Sequence, residues 1–170
     1  MDLKQALQRA WQIVQLDRAA IREVAADPNA MLPGLVLMAL SGAIAALLSL
    51  NPFGILLGPV IAVVGAFVGT AVLHVLALLF GGRGSYGALF NAGAHGHALL
   101  SAANVVPVLG SLVALVWGVV VSVVNLEEVH GLSRGRAVIV VLIPVLLILT
   151  CVAVLFSVIV AAFVHAFHHT

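Results

Sequence analysis

The fold class is decided by residues 137–163, which read AVIVVLIPVLLILTCVAVLFSVIVAAF and contain no charged side chain. The rest of the chain has the same character, because 64 % of its 170 residues are hydrophobic and only 8 % are charged. A soluble domain has about a quarter of its residues charged, and one of this size cannot bury so much apolar surface. The composition therefore predicts an all-α integral membrane protein.

Four further apolar runs lie upstream and are separated by short turns. They cover residues 31–50, 53–80, 86–105 and 107–126. Each is long enough to cross the hydrocarbon core of a bilayer as a helix. The run 86–105 is the most polar of the five, so we expect its neighbours to shield it from lipid. Residues 28–170 are therefore predicted to form one membrane domain with five transmembrane helices.

Residues 1–27 carry more than half of the charged side chains, yet apolar residues such as Leu7 and Trp11 recur at three- and four-residue steps. This periodicity predicts a cytoplasmic amphipathic helix that ends at Asp27-Pro28. A tryptophan and basic residues next to a span favour an interfacial position in the headgroup plane. A helix packed on the protein's own loops is the alternative.

The basic residues all fall on segments that an alternating topology places on one side of the membrane. They occupy the N-terminal segment, the loop at Arg83 and the loop with Arg134 and Arg136. The positive-inside rule therefore predicts a cytoplasmic N-terminus and an external C-terminus. Seven basic residues against six acidic ones leave no net field for phosphates, so nucleic acid is not an expected partner.

Small residues form one stripe along each of two predicted spans. The stripe in the second span consists of Gly54, Gly58, Ala62, Gly65 and Gly69. The stripe in the fourth span consists of Ser111, Ala114, Gly118, Ser122 and Asn125. Because small residues mark where membrane helices can approach, we expect both stripes to be internal, with packing against each other as one possible arrangement. The last span has no glycine and is expected at the edge of the bundle, facing lipid or a partner protein.

Intramembrane polar residues are the main candidates for function, because polar groups are costly in lipid. The set consists of His74 in the second span and Asn91, His95, His97 and Asn104 in the third. At about 1.5 Å per residue, His74, Asn91 and His95 lie at similar depths in antiparallel helices, so they can form a polar cluster. Structural hydrogen bonds are the first interpretation. A proton or ion pathway and an axial ligand for a haem or pigment are the alternatives.

A second candidate site is the charged surface predicted on the cytoplasmic side. It consists of Arg83, Glu127, Glu128, His130, Arg134 and Arg136. We interpret it as a docking face for a partner protein. Glu127 and His130 have helical i, i+3 spacing, but one such pair falls short of the ligands that a metal site needs, so no metal is predicted and any other cofactor stays unknown. The sequence offers no nucleophile with a matched base, so no enzymatic activity is predicted.

The second half of the chain carries a succession of short motifs. They are Gly81-Gly82-Arg83-Gly84-Ser85-Tyr86, then Val106-Pro107-Val108-Leu109-Gly110 and Trp117, then Leu126-Glu127-Glu128-Val129-His130-Gly131-Leu132-Ser133 and Arg136-Ala137. In this order they resemble the YIP family, the Ypt-interacting-protein domain. The segment 26–30, ADPNA, is similar to the short proline-containing segment before the first span of bacterial members.

The resemblance covers about residues 20–150 and implies five spans with a cytoplasmic N-terminus. Eukaryotic members are linked to Rab-type GTPases and vesicle traffic. The short, alanine- and valine-rich build of this chain resembles instead the bacterial type, which implies the bacterial cytoplasmic membrane. Around residues 92–99 the chain departs from the family pattern, because a histidine-bearing segment replaces a proline, so the family says least about the third span.

Together these features predict a non-enzymatic scaffold or interaction subunit of a membrane complex, whose partners are the lipid bilayer and another membrane protein. A small channel or transporter that uses the polar third span is one alternative. A cofactor-ligating accessory subunit of a respiratory or photosynthetic assembly, with His74 or His95 as the ligand, is the other.

Overall fold

The structure, a computed structural model, describes residues 2–50, 52–106 and 108–168. These residues form the helices α1 (Leu3–Val14), α2 (Arg18–Ala26), α3 (Met31–Leu48), α4 (Pro52–Leu79), α5 (Tyr86–Leu100), α6 (Leu109–His130) and α7 (Arg134–His168). A 3-10 helix, Ser101–Val105, follows α5 directly. No β-strand occurs among the described residues, in agreement with the predicted all-α class. Pro107, the predicted first residue of the fourth span, lies outside them.

Four helices of the described chain are long and apolar enough to cross a membrane, by length and composition. They are α3, α4, α6 and α7. The third predicted span, residues 86–105, is also helical, but it divides into the 15-residue α5 and the 3-10 helix. The α-helical part reaches only about 22 Å at about 1.5 Å per residue, against roughly 30 Å of hydrocarbon. α5 alone is therefore too short to cross the hydrocarbon, and the structure shows four candidate spans where the sequence predicts five.

The N-terminal segment forms two helices, where the periodicity predicts a single helix over residues 1–27. α1 begins with a capping box, in which the side chains of Asp2 and Gln5 each accept a hydrogen bond from the backbone N–H of the other. The chain turns at Leu16, whose φ is 65°, and the Asp17 carboxylate then accepts hydrogen bonds from N–H groups in the first turn of α2. The apolar periodicity continues across this turn, so only the N-capping Asp17 signals the break.

α5 lies at the centre of the bundle, in contact with α1, α2, α3, α4 and α6. Nine of its 15 residues are buried. Phe90 is fully buried, and its ring stacks on that of Phe67 in α4 with 4.5 Å between ring centroids. Gly96 lies where α1 and α6 approach α5, since a Cβ added there would come within 2.9 Å of Ile13 and 3.1 Å of Val121. The surrounding helices thus cover the most polar of the predicted spans.

α3 and α4 form a closely packed hairpin. Gly42 and Gly58 face each other, and a Cβ added to either would collide with the backbone of the other. Small residues permit this approach of two backbones, through which membrane helices gain van der Waals contact. Gly54 lies one turn before Gly58, near the start of α4.

α6 and α7 are joined by a tight link, and only the base of α7 is packed. Gly131 follows α6 in the left-handed conformation, with a φ of 66°, which glycine adopts without a steric penalty. In the first turns of α7, Ala137 and Val140 are fully buried. Farther along, every residue from 146 to 162 is exposed. No described helix therefore buries the distal part of α7.

Candidate functional site

A cavity of about 690 Å³ lies between α3, α4, α5, α6 and α7. This volume falls in the range of small-molecule sites, roughly 300–1,000 Å³. Most of the side chains that line it are apolar. The polar ones are Thr70, His97, Ser122 and Asn125. The cavity is therefore an apolar chamber with a few hydrogen-bonding groups, which is the usual character of a ligand site.

The two small-residue stripes face this cavity from opposite sides. Gly65 and Gly69 of α4 line one wall, and a Cβ added to either would meet no atom within 4 Å. Gly118 of α6 lines the opposite wall, where a Cβ would lie 3.4 Å from the ring of His97. Parts of the two stripes thus face each other across open space, while Gly58 packs on Gly42. Gly65 and Gly69 are exposed, so the stripe of α4 is not internal along its whole length as expected. The missing side chains create the cavity instead of allowing α4 and α6 to meet.

The polar end of the cavity is built on α5 and α6. His97 Nε2 and Ser122 Oγ are 3.1 Å apart, within hydrogen-bond distance. Asn125, about one turn farther along α6, is only 1 % exposed, and its Oδ1 has no hydrogen-bond partner among the described residues. A buried polar atom without a partner costs about 1–3 kcal/mol, so a ligand with a donor would bind favourably here. Asn104, by contrast, is exposed on the 3-10 helix.

The other predicted intramembrane polar residues have separate partners. His74 Nδ1 lies 3.3 Å from His130 Nε2. Asn91 donates a hydrogen bond of 3.1 Å from Nδ2 to the carbonyl oxygen of Asp27, which ties α5 to the segment between α2 and α3. The fully buried His95 places Nδ1 at 2.7 Å from the Asn91 carbonyl oxygen. His95 thus contacts the Asn91 backbone one turn earlier in α5, whereas the partner of His74 is His130.

His130 holds the loop between α4 and α5 against the end of α6. The N–H of Gly84 donates to His130 Nδ1 at 3.1 Å, and the N–H of Arg83 donates to the His130 carbonyl oxygen at 3.0 Å. Because Nδ1 accepts a backbone hydrogen bond, a neutral ring carries its proton on Nε2, which points to His74. His130 as a whole residue is only 2 % exposed, so it offers little surface to a partner protein.

Glu127 and Glu128 are bound by basic residues of the same chain. Arg18 of α2 bridges both carboxylates, and Arg22 also pairs with Glu128. Arg134 Nε lies 2.9 Å from Glu127 Oε1. The hydrogen bonds to Glu127 and Glu128 raise the pKa of the Arg18 guanidinium above its ordinary value, so Arg18 is charged at every physiological pH. The two glutamate side chains are only 10 % exposed, so α2 covers this part of the predicted docking face.

Arg83 and Arg136 are the other basic members of the predicted docking face. Both are exposed at the end of the bundle where α4 and α6 end and α5 and α7 begin. Arg136 Nη1 donates a hydrogen bond of 3.4 Å to the carbonyl oxygen of Phe80. What remains accessible of the face is therefore basic, because its acidic side chains are paired within the chain.

Metal binding has no preformed site in the part of the chain that the structure describes. No group of three or more His, Cys, Asp or Glu is placed there to hold a metal ion. Cys151 is a single exposed thiol on α7.

Two features of these sites escape sequence reasoning. Arg18 and Arg22, the partners of the glutamates, lie four residues apart on one face of α2, and that spacing is their only local signal. Ser122 and Asn125 belong by spacing to a packing stripe, whereas the structure places them at the cavity. Spacing on one helix gives a shared face, and only the position of the neighbouring helices tells whether that face is covered.

Comparison with known proteins identifies a family. The family model of the Yip1 domain matches residues 11–165, which extend from the last part of α1 into the distal part of α7. No curated protein and no solved structure matches the chain. The matched region contains both the cavity and the charged residues that α2 contacts.

Proposed function

Because the chain belongs to the Yip1 domain family of membrane proteins, we propose that it is a non-enzymatic scaffold that binds another membrane protein along the distal part of α7. The observation that carries this proposal is the contrast within one helix. The base of α7 is buried at Ala137 and Val140, whereas every residue from 146 to 162 is exposed. A helix that leaves its own bundle in this way offers a long surface within the bilayer.

A stripe of small residues on the distal part of α7 supports a protein partner over lipid alone. Thr150, Ala153, Ser157 and Ala161 follow one another at steps of 3, 4 and 4, so they share one helical face. The Thr150 and Ser157 hydroxyls donate to carbonyl oxygens of the preceding turn, at 2.8 Å each, so both donors are satisfied within α7. Small residues in this pattern let a second helix approach closely.

The same proposal includes five spans and a cytoplasmic N-terminus in a bacterial cytoplasmic membrane. α5 and the 3-10 helix together measure about 32 Å at their respective rises, which is enough to cross the hydrocarbon. The contacts of Arg18 with Glu127 and Glu128 put α2 at the same end of the bundle as Arg83 and Arg134. The basic residues of α2, of the Arg83 loop and of the start of α7 thus lie at one end, a pattern that the positive-inside rule associates with a cytoplasmic face.

The test is native mass spectrometry of the full chain extracted from its own membrane in a mild detergent. The wild type should carry a reproducible, stoichiometric mass of another protein. In the variant Ala153→Phe/Ser157→Phe, two bulky rings block the small-residue stripe, and this additional mass should be lost. The matched control Val152→Phe/Ile159→Phe places the same rings on the opposite face of α7 and should keep it.

Two results would contradict the proposed scaffold role. The first is a wild-type protein that carries no partner in its native membrane. The second is a partner that survives the Ala153→Phe/Ser157→Phe change, which would place its binding surface elsewhere. Circular dichroism of both variants checks that the helical bundle is intact, so that a lost partner reflects the blocked surface.

A further inference from the structure

We infer that the cavity lined by α3, α4, α5, α6 and α7 binds an uncharged lipid whose head group carries a hydroxyl, such as a diacylglycerol, with the hydroxyl at Asn125 and the apolar chain along α4 and α6. This inference concerns a site separate from the proposed docking surface on α7. It begins from Asn125, which lines the cavity and whose buried Oδ1 has no hydrogen-bond partner among the described residues.

A hydroxyl is the group that fits this end of the cavity. It can donate to Asn125 Oδ1, and it can equally accept from Nδ2 if the amide is turned over. His97 and Ser122 also line the cavity, and their Nε2 and Oγ atoms lie within hydrogen-bond distance of each other, at 3.1 Å. A ligand that satisfies Asn125 therefore removes the one orphaned buried oxygen at this site.

The absence of charge in the walls selects an uncharged head group. Among the described residues that line the cavity there is no Asp, Glu, Lys or Arg. A phosphate moved from the bilayer surface into such surroundings would lose its hydration without gaining a counter-charge. Phosphodiester lipids can thus place only their chains here, which leaves Asn125 unpaired.

The orientation of the cavity matches that of a lipid in a bilayer. Asn125 precedes Glu127, at the charged end of α6, by two residues. From Asn125 the wall runs along α6 to Ala114, a distance of about 16 Å at 1.5 Å per residue. The head group would thus lie near the membrane surface and the chain would point into the hydrocarbon.

The cavity is open on its apolar side. Ile61 and Val68 of α4 line it and are 66 % and 58 % exposed. Leu115 of α6 and Ile148 of α7 line it as well and are 47 % and 61 % exposed. Because these exposed lining residues are all apolar, entry is from the hydrocarbon and a ligand dissolved in the bilayer can reach the site laterally.

The experiment uses the full chain in nanodiscs of phosphatidylcholine and phosphatidylglycerol, doped with a diacylglycerol that carries a diazirine in its acyl chain. A phosphatidylcholine with the same diazirine chain serves as the reference probe. After photolysis, mass spectrometry measures the labelling of peptides from α4 and α6. We expect the diacylglycerol to label these peptides about tenfold more than the reference, the ratio that one satisfied buried hydrogen bond supports.

Three variants make the result decisive. Asn125→Leu removes the acceptor at nearly constant volume and should abolish the preference for diacylglycerol while leaving labelling by the reference probe. Gly65→Leu fills the cavity, because a Cβ there meets no atom within 4 Å, and should abolish labelling by both probes. Gly87→Leu is the matched control, since its Cβ is equally unobstructed but lies outside the cavity.

The inference is overturned if the two probes label the wild type equally, since the cavity would then hold any acyl chain. It is also overturned if the preference persists in a folded Asn125→Leu protein. Labelling that is unchanged by Gly65→Leu would place the bound lipid outside the cavity and would reject the site itself.

Discussion

α5 and α7 are the two extremes of this molecule. α5 contains Asn91, His95 and His97, yet nine of its 15 residues are buried. α7 is almost entirely apolar, yet every residue from 146 to 162 is exposed. In a water-soluble protein the apolar helix would be the buried one and the more polar helix would be exposed. The contrast shows that burial in this chain follows polarity, because in lipid the polar groups are the ones that need cover.

The two helices also owe their stability to different causes. α5 is held by close contact with five neighbouring helices, whereas the distal part of α7 is held by the match between its apolar surface and the bilayer. The same chemical change should therefore have a large effect in α5 and a small one in α7. Four experiments follow in order of decreasing expected effect: two compare α5 with α7 directly, one compares two positions within α5, and one concerns the contacts of α2.

The largest difference is expected for removal of an aromatic ring. Phe90→Ala opens a void beside Phe67 and should lower the free energy of unfolding by about 3–5 kcal/mol. Phe156, which is 68 % exposed, has no such partner surface, so Phe156→Ala should change the same quantity by less than about 0.5 kcal/mol. Unfolding by sodium dodecyl sulfate in mixed micelles, followed by circular dichroism, measures both. Equal losses would mean that the two helices are packed alike.

A smaller effect is expected from overpacking within α5. Gly96→Leu drives a side chain into Ile13 and Val121 and should cost about 1–3 kcal/mol of unfolding free energy. Gly93→Leu, three residues earlier, places the same side chain where a Cβ meets no atom within 4 Å, and it should cost much less. The same unfolding experiment compares them. A larger loss for Gly93→Leu would contradict the position of the cavity.

Serine substitutions should give a smaller difference still. Ser85 is the N-cap of α5 and accepts a hydrogen bond of 3.2 Å from the N–H of Ala88, so Ser85→Ala should cost about 1 kcal/mol. Ser157 in α7 donates only to its own helix, so Ser157→Ala should be close to neutral for unfolding of the isolated protein. A neutral Ser85→Ala would show that α5 forms without its cap.

The smallest effect is local and concerns α2. Arg18→Ala leaves Glu127 with Arg134 and Glu128 with Arg22, so the bundle should stay folded while α2 loosens. Hydrogen–deuterium exchange of the α2 amides should become faster than in the wild type, whereas Arg83→Ala, an exposed control, should leave it unchanged. Unaltered exchange in both variants would show that apolar contacts alone hold α2, and high salt should weaken whatever part is electrostatic.

Much of the helical framework is readable from the sequence. The predicted spans 31–50, 53–80 and 137–163 agree with α3, α4 and α7 within a few residues, because apolar runs bounded by turns define helix ends well. The resemblance to the YIP family is confirmed by the match to the Yip1 domain. The turn at Leu16 could not be predicted from the apolar periodicity, because the periodicity of α1 continues into α2 without interruption.

The arrangement around the cavity could not be read in the same way. Residue spacing shows that Gly65 and Gly69 share a face, but it does not give the distance to the opposite helix. Helix rise gives the depth of His74 and His95, but not the direction in which each side chain points. The distance between helices and the direction of each side chain are set by long-range packing, so residue spacing in a single sequence does not give them.

The unequal attachment of α7 has a mechanical consequence. With 35 residues, this helix is about 52 Å long at about 1.5 Å per residue, which exceeds the hydrocarbon thickness of about 30 Å. It must therefore incline or project beyond the hydrocarbon. Because only its base is packed within the described bundle, the angle of its distal part depends on the bilayer and on whatever packs against it.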